Sequence, residues 1–148
     1  MFSAENIKKI RIQNNKTQEE TAQLLNVSRS SYAMWESNNE IIPIKRLTEF
    51  CDLFKVSVDY VLGLTDNLYK TSKYKKEISA TRLKDFRKEN KLTQEKLAKI
   101  LNTNKSVICG YEKGRYLIAT PFLYTICKKY NISADYLLGK TDNPKYLK

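Results

Sequence analysis

The residue types that usually carry covalent chemistry are scarce in this chain and poorly spaced for it. There is no histidine among the 148 residues, so the commonest general base is missing, and there is no glycine-rich phosphate loop or nucleophile elbow. Three cysteines, Cys51, Cys109 and Cys127, are widely separated, odd in number and form no C-x-x-C pair. Such spacing suits reduced thiols better than a disulfide framework, and without histidine it offers no zinc site. These features argue against an enzyme and lead us to expect neither cofactor nor metal. What remains is charge: 27 Lys and Arg face 16 Asp and Glu, a formal net charge of +11 with a pI near 9.5. An excess of cations favours nucleic acid or an anionic membrane surface as partner. No apolar run approaches the roughly 18 residues of a spanning helix, and the opening MFSAENIKKI lacks the apolar core of a secretory signal. Nucleic acid is the expected partner and the cytoplasm the expected compartment.

The elements that must carry this charge are helical. Four glycines and three prolines in the whole chain, with apolar residues recurring every three to four positions, predict an all-α fold. The sequence is also an internal repeat. Residues 2–67 align without a gap on residues 78–143 at a constant offset of 76, and about a third of the paired positions are identical, among them Arg11/Arg87, Gln18/Gln94, Ala22/Ala98, Leu25/Leu101 and Glu36/Glu112. Two copies are too few for a stacked array, so each is read as a small domain with its own core. The expected organisation is module 1 over 1–67, a Lys-rich linker over 68–77, module 2 over 78–143 and a tail over 144–148. The linker LYKTSKYKKE is expected to be solvated, either as a tether alone or lying along phosphates. Tyr69, Tyr74 and Tyr146 are assigned to packing or linker rather than to base stacking.

Within module 1, spacing predicts a helix near 4–14 and a second from Gln18 to Leu25 capped by Thr17, with Glu20 completing a capping box. Module 2 keeps Thr93 but has Lys96 in place of the glutamate, so half the box remains. Breaks at Asn26-Val27-Ser28 and Asn102-Thr103-Asn104 precede a third helix ending near Ser37 or Lys113. A fourth is expected to start around Pro43 or, behind Thr120, around Pro121, since proline suits the first helical position. The fifth follows Ser57 or Ser133, with Asp59 or Asp135 in its first turn and Gly63 or Gly139 at its end. Cys51 and Cys127 sit between apolar neighbours of the fourth helix and are expected in the core.

On the third helix, steps of 100° place Tyr32, Trp35 and Glu36 on one side and Ser30, Ala33, Met34 and Ser37 on the other, with Arg29 at the N-terminal edge. The second copy places Ile108, Tyr111 and Glu112 against Ser106, Cys109, Gly110 and Lys113, with Lys105 at the edge. One side is core; the other is small and polar. The stretches TQEETAQLLNVSRSSYAMWES and TQEKLAKILNTNKSVICGYEKG resemble the helix-turn-helix core of the Cro/repressor (XRE-like) family, and VSVDYVLGLTDN and ISADYLLGKTDN resemble the ending of its five-helix, lambda-repressor-like domain. The resemblance covers both modules.

It implies that the outer side of the third helix enters the major groove of double-stranded DNA, first turn nearest the bases. Arg29, with Lys105 as its counterpart, is then placed for a guanine edge, and Ser28, Ser30, Asn104 and Ser106 for bases or phosphates. Ala33 and Met34 either touch a thymine methyl or are exposed without a role; Cys109 and Gly110 share that face. Gln18 and Gln94 are expected to clamp a phosphate beside a helix N-terminus, the alternative being good helix formers in solvent. Ser37, Lys91, Lys113 and Arg115 are further phosphate candidates. The family's internal ion pair falls on Arg11/Glu36 and Arg87/Glu112, with phosphate contact by the arginines as the alternative.

The two modules differ in charge. Residues 1–67 hold 8 basic and 9 acidic groups, net −1, whereas 68–148 hold 19 and 7, net +12. Because phosphate neutralisation supplies most nonspecific affinity, module 2 is expected to bind DNA more strongly. Unlike third helices should read unlike half-sites. Ten linker residues extend to roughly 33–36 Å, close to the spacing of successive major grooves. The resulting expectation is a monomer acting as an internal pseudo-dimer on an asymmetric operator, a repressor resembling the small ones of phages and conjugative plasmids. In the alternative, module 2 alone binds DNA and module 1 is a protein-interaction or dimerisation unit.

Overall fold

The computed structural model describes residues 4–146, so residues 1–3 of module 1 and 147–148 of the tail lie outside the described residues. The described residues form ten helices and no strand, divided into two compact units, one comprising the residues up to Thr71 together with Tyr146 and the other running Ser72–Lys145. Module 1 comprises α1 (Ala4–Gln13), α2 (Gln18–Leu24), α3 (Arg29–Glu36), α4 (Ile44–Phe54) and α5 (Val58–Val61). Module 2 comprises α6 (Lys76–Glu89), α7 (Gln94–Ile100), α8 (Lys105–Glu112), α9 (Thr120–Tyr130) and α10 (Ala134–Leu137). The all-α reading of the sequence holds.

Local chemistry sets the boundaries. Thr17 accepts from the Glu20 N–H while Glu20 reaches back to the Thr17 N–H, a complete box; Thr93 accepts from the Lys96 N–H alone. After α2, Asn26 adopts the left-handed conformation at φ 56°, and the Asn26 and Val27 N–H groups bond to Gln23 and Ala22 carbonyls at 3.1 and 3.0 Å. Asn102 and Thr103 repeat this at φ 56°, bonding to Lys99 and Ala98. Asparagine tolerates that conformation better than other side-chain-bearing residues, so it can stop the helix and turn the chain within three residues. Ser57 and Ser133 cap α5 and α10, and Gly63 and Gly139 turn away from them at φ 75° and 73°.

The fourth helices start differently from the expectation. Pro43 is the N-cap of α4, whereas α9 begins at Thr120 with Ala119 as its cap and Pro121 already inside the first turn. Proline is tolerated there because first-turn N–H groups have no helical acceptor to lose. The Tyr111 hydroxyl accepts the Ala119 N–H at 3.3 Å in place of a capping side chain.

Each unit closes around its own core. In module 1, Ile7, Ile10, Leu25, Tyr32, Trp35, Leu47, Phe50 and Val61 are buried, with Tyr32 and Trp35 edge to face at 5.9 Å. Module 2 buries Leu83, Phe86, Leu97, Leu101, Ile108, Leu123, Ile126 and Leu137. Cys51 and Cys127 lie in these cores as free thiols. The first and fifth helices are tied by different residues at one position. Asn6 donates to the Tyr60 and Val61 carbonyls at 3.1 Å, while Arg82 donates to the Tyr136 and Thr141 carbonyls at 2.6 Å, pairs with Asp142 and lies 4.1 Å from the centre of the Tyr136 ring.

Much of the segment expected as a solvated linker is engaged. Tyr69 donates its hydroxyl hydrogen to the buried Asp59. Ser72 bonds to the Lys140 carbonyl through both its N–H and its hydroxyl, and Lys75 bonds to the Leu138 and Gly139 carbonyls. Helix α6 begins at Lys76, inside that segment, and Tyr74 is half-buried, burial pushing its phenol pKa up. These residues are polar enough to read as solvated in sequence, but Ser72 and Lys75 find backbone partners distant in sequence and Tyr69 finds a buried carboxylate.

Candidate nucleic-acid interface

The same buried network supports α3 and α8. Arg11 donates to the two Glu36 carboxylate oxygens at 2.7 and 3.0 Å and to the Lys16 carbonyl at 2.7 Å. Arg87 does the same with Glu112 at 2.7 and 3.0 Å and with the Leu92 carbonyl at 2.9 Å. Gln18 and Gln94 each complete the set by donating to the glutamate at 3.2 Å. The glutamate side chains are 3% exposed, so each carboxylate depends on its arginine for compensation. Burial pushes the Glu36 carboxyl up, but hydrogen bonds led by Arg11 outweigh it and leave the pKa below the usual value; the bond to Glu36 raises that of Arg11. Arg11 and Arg87 each use three of five N–H donors to join the first helix, the turn after it and the end of the third, and the glutamines bring in the start of the second. The glutamines are oriented by the same carboxylates. An amide nitrogen has two hydrogens, so each glutamine retains one donor after this bond.

The predicted base-facing residues divide into several groups. Arg29, Ser30, Lys105 and Ser106 are exposed in the first turns of α3 and α8. Ser28 and Asn104 are exposed too, but as N-caps they accept the Ser31 and Val107 N–H groups, so capping is their first role. Ala33 and Cys109 are half-buried, and Met34 is 37% exposed. Gly110 departs from the expectation that it lies open on the outer face. It is buried, and a Cβ built on it would overlap Cδ2 and Cε2 of Tyr116. The helical wheel placed Gly110 on the correct side of α8; it had no means of showing that a ring from the following loop covers it.

Among the phosphate candidates, Lys91, Lys113 and Arg115 are exposed, and Ser37, also exposed, donates its hydroxyl to the Met34 carbonyl at 3.2 Å. Gln18, Ala33, Met34 and Ser37 are brought together in one open cleft of about 370 Å³, floored by Glu36 and completed by Lys8 and Asn39. Lys8 and Asn39 were missed in sequence. The signal available for Lys8 was its identity with Lys84 across the repeat. Tyr116 was missed as well, because it lies in a loop where helical periodicity carries no information; a glycine within α8 was its only sequence trace.

Comparison with known proteins agrees with this architecture. Residues 7–61 match a helix-turn-helix family and residues 80–143 match a helix-turn-helix domain family. Over 63 residues, 43% of this chain, the sequence is 40% identical to an uncharacterized HTH-type transcriptional regulator, YobD of Bacillus subtilis, and the matched stretch spans 56% of that relative. No solved structure matches the chain. Both modules are helix-turn-helix domains, placed in tandem in one chain.

Proposed function

We propose that these two tandem helix-turn-helix domains form a transcriptional regulator, a cytoplasmic DNA-binding repressor rather than an enzyme, that inserts α3 and α8 into the major groove of an asymmetric operator. The observation that carries the reading is the pairing of one support with two surfaces. The Arg–Glu–Gln network is reproduced nearly atom for atom, while the exposed first turns hold Arg29 and Ser30 in one module and Lys105 and Ser106 in the other. A conserved support beneath different polar surfaces suits two readers of unlike half-sites. The exposed cations of module 2 supply most of the phosphate attraction. Full extension of residues 68–77 would break the Tyr69, Ser72 and Lys75 bonds and the first turn of α6, so a pseudo-dimer of fully stretched linker carries that cost.

The test is selection of fragments from a random double-stranded library by the full chain at about 150 mM salt, near physiological ionic strength. Two unlike motifs at a fixed spacing of about 10–11 base pairs are expected, since successive major grooves recur once per turn. No enrichment would overturn the regulator reading. A single motif would favour the second reading, in which module 2 alone binds DNA. That reading draws on the near-neutral charge of module 1 and its exposed Ile12, Leu24, Ile41 and Leu53. Under it Arg29→Glu leaves DNA affinity unchanged; under the two-reader scheme it weakens binding.

A further inference from the structure

We propose that Tyr116 is a specificity-determining residue of module 2, its ring seated on Gly110 and presented to DNA beside α8. The proposal rests on the reading of α8 as a recognition helix and names a residue that lies outside the helix. Gly110 lies within α8, in its last turn, where glycine still has the lowest helix propensity after proline, and it is not among the residues with positive φ. Its conformation therefore does not require glycine; the Tyr116 ring does, because a Cβ at position 110 would overlap two ring carbons. The loop is held for this contact. Gly114 turns at φ 73°, its N–H bonds to the Tyr111 carbonyl at 3.1 Å, and the Arg115 N–H bonds to the Gly110 carbonyl at 2.9 Å.

Although its ring rests on the helix, Tyr116 remains 59% exposed. It directly follows the exposed cations Lys113 and Arg115 in sequence, so attraction to phosphate brings the backbone of a duplex toward it. Its ring supplies a rigid apolar surface for a thymine methyl or a deoxyribose, and its hydroxyl a donor for phosphate. Module 1 has Met34 and Glu40 at the equivalent positions, a flexible side chain and an anion. The Gly110–Tyr116 pair is thus specific to module 2.

The experiment measures binding of the full chain and its variants to the duplex selected by the wild type and to a panel with each base pair substituted, with thermal melts alongside. Tyr116→Ala should weaken binding roughly 5- to 100-fold, the range of one good base contact, and relax the preference at one base pair without moving the melting temperature appreciably. Gly110→Ala favours the helix but displaces the ring, so it should weaken binding to the same duplex without lowering thermal stability. Lys105→Ala serves as the control on α8 itself. If it weakens binding while Tyr116→Ala changes neither affinity nor base preference, the Tyr116 proposal is overturned and the recognition-helix reading stands. A loss with Tyr116→Ala that is uniform over the panel also overturns a role in specificity. If the wild type selects no duplex, the underlying reading fails first and the proposal with it.

Discussion

After the third helix, module 1 continues with Ser37, Asn38, Asn39 and Glu40, and module 2 with Lys113, Gly114, Arg115 and Tyr116. Earlier positions show the same drift: Asn15 becomes Lys91, Glu20 becomes Lys96 and Gln23 becomes Lys99. Beneath these surfaces the frames coincide. The arginine–glutamate distances are the same in both modules, the second-helix turns share φ 56°, and the fifth helices are capped by serine in both. A buried carboxylate tolerates few substitutions of its partner, whereas solvent screens an exposed charge and lets it change at little cost to folding. The shared part of the repeat is support, and the divergent part is what the support displays.

The largest expected effect tests whether the frame is equivalent in both modules. Arg11→Met or Arg87→Met leaves a buried glutamate without its cation, and either should cost about 3–5 kcal/mol in its own module. Hydrogen exchange resolved by module checks this; a large inequality would show that the networks are alike in geometry only. Next comes the surface. Lys113→Glu combined with Arg115→Glu should lower DNA affinity about 100-fold and flatten the dependence on log salt by about 1.8, near 0.9 per phosphate lost. Ser37→Glu with Asn39→Glu should cost less, and equal losses in anisotropy titrations would remove the charge asymmetry from the account.

A smaller effect comes from Tyr32, whose hydroxyl is buried without a hydrogen-bond partner in module 1, where module 2 has Ile108. Burial, then the nearby Glu36 carboxylate, pushes its phenol pKa far up. Tyr32→Phe should stabilise module 1 by about 1 kcal/mol, read as a higher urea midpoint, because it removes an unsatisfied polar atom. The smallest is acid sensitivity. Glu36 has a folded-state pKa below the usual carboxyl value of 4.5, so its contribution is complete above that value and is lost as pH falls through the folded one. The urea midpoint of module 1 should decline below about pH 4.5; a midpoint unchanged there would separate the ion pair from stability.

Much of this was legible in order along the chain. The gapless repeat showed two copies of one module, and the Thr17 and Thr93 caps, the Asn26 and Asn102 turns, and the Ser57 and Ser133 starts all follow from local backbone chemistry. The sides of α3 also followed from helical spacing, Tyr32 and Trp35 being buried while Ser30 and Met34 are exposed. Two site features were not legible. Gly110 lies on the outer side of its helix yet is buried, and Gln18 donates to Glu36, eighteen residues away. Each involves a partner from a different element, about which periodicity says nothing.

By itself the sequence determined the all-α class, the tandem repeat, the helix stops and the asymmetry of charge, because composition, capping and spacing act over a few residues. Only the tertiary structure decided that the polar segment around Ser72 and Lys75 is bonded to the end of module 2, that Arg82 does in module 2 what Asn6 does in module 1, and that a tyrosine ring lies where a helical wheel shows open surface. Those outcomes depend on which hydrogen-bonding groups and which side-chain volumes meet across elements far apart in the chain, and that is settled when the core closes.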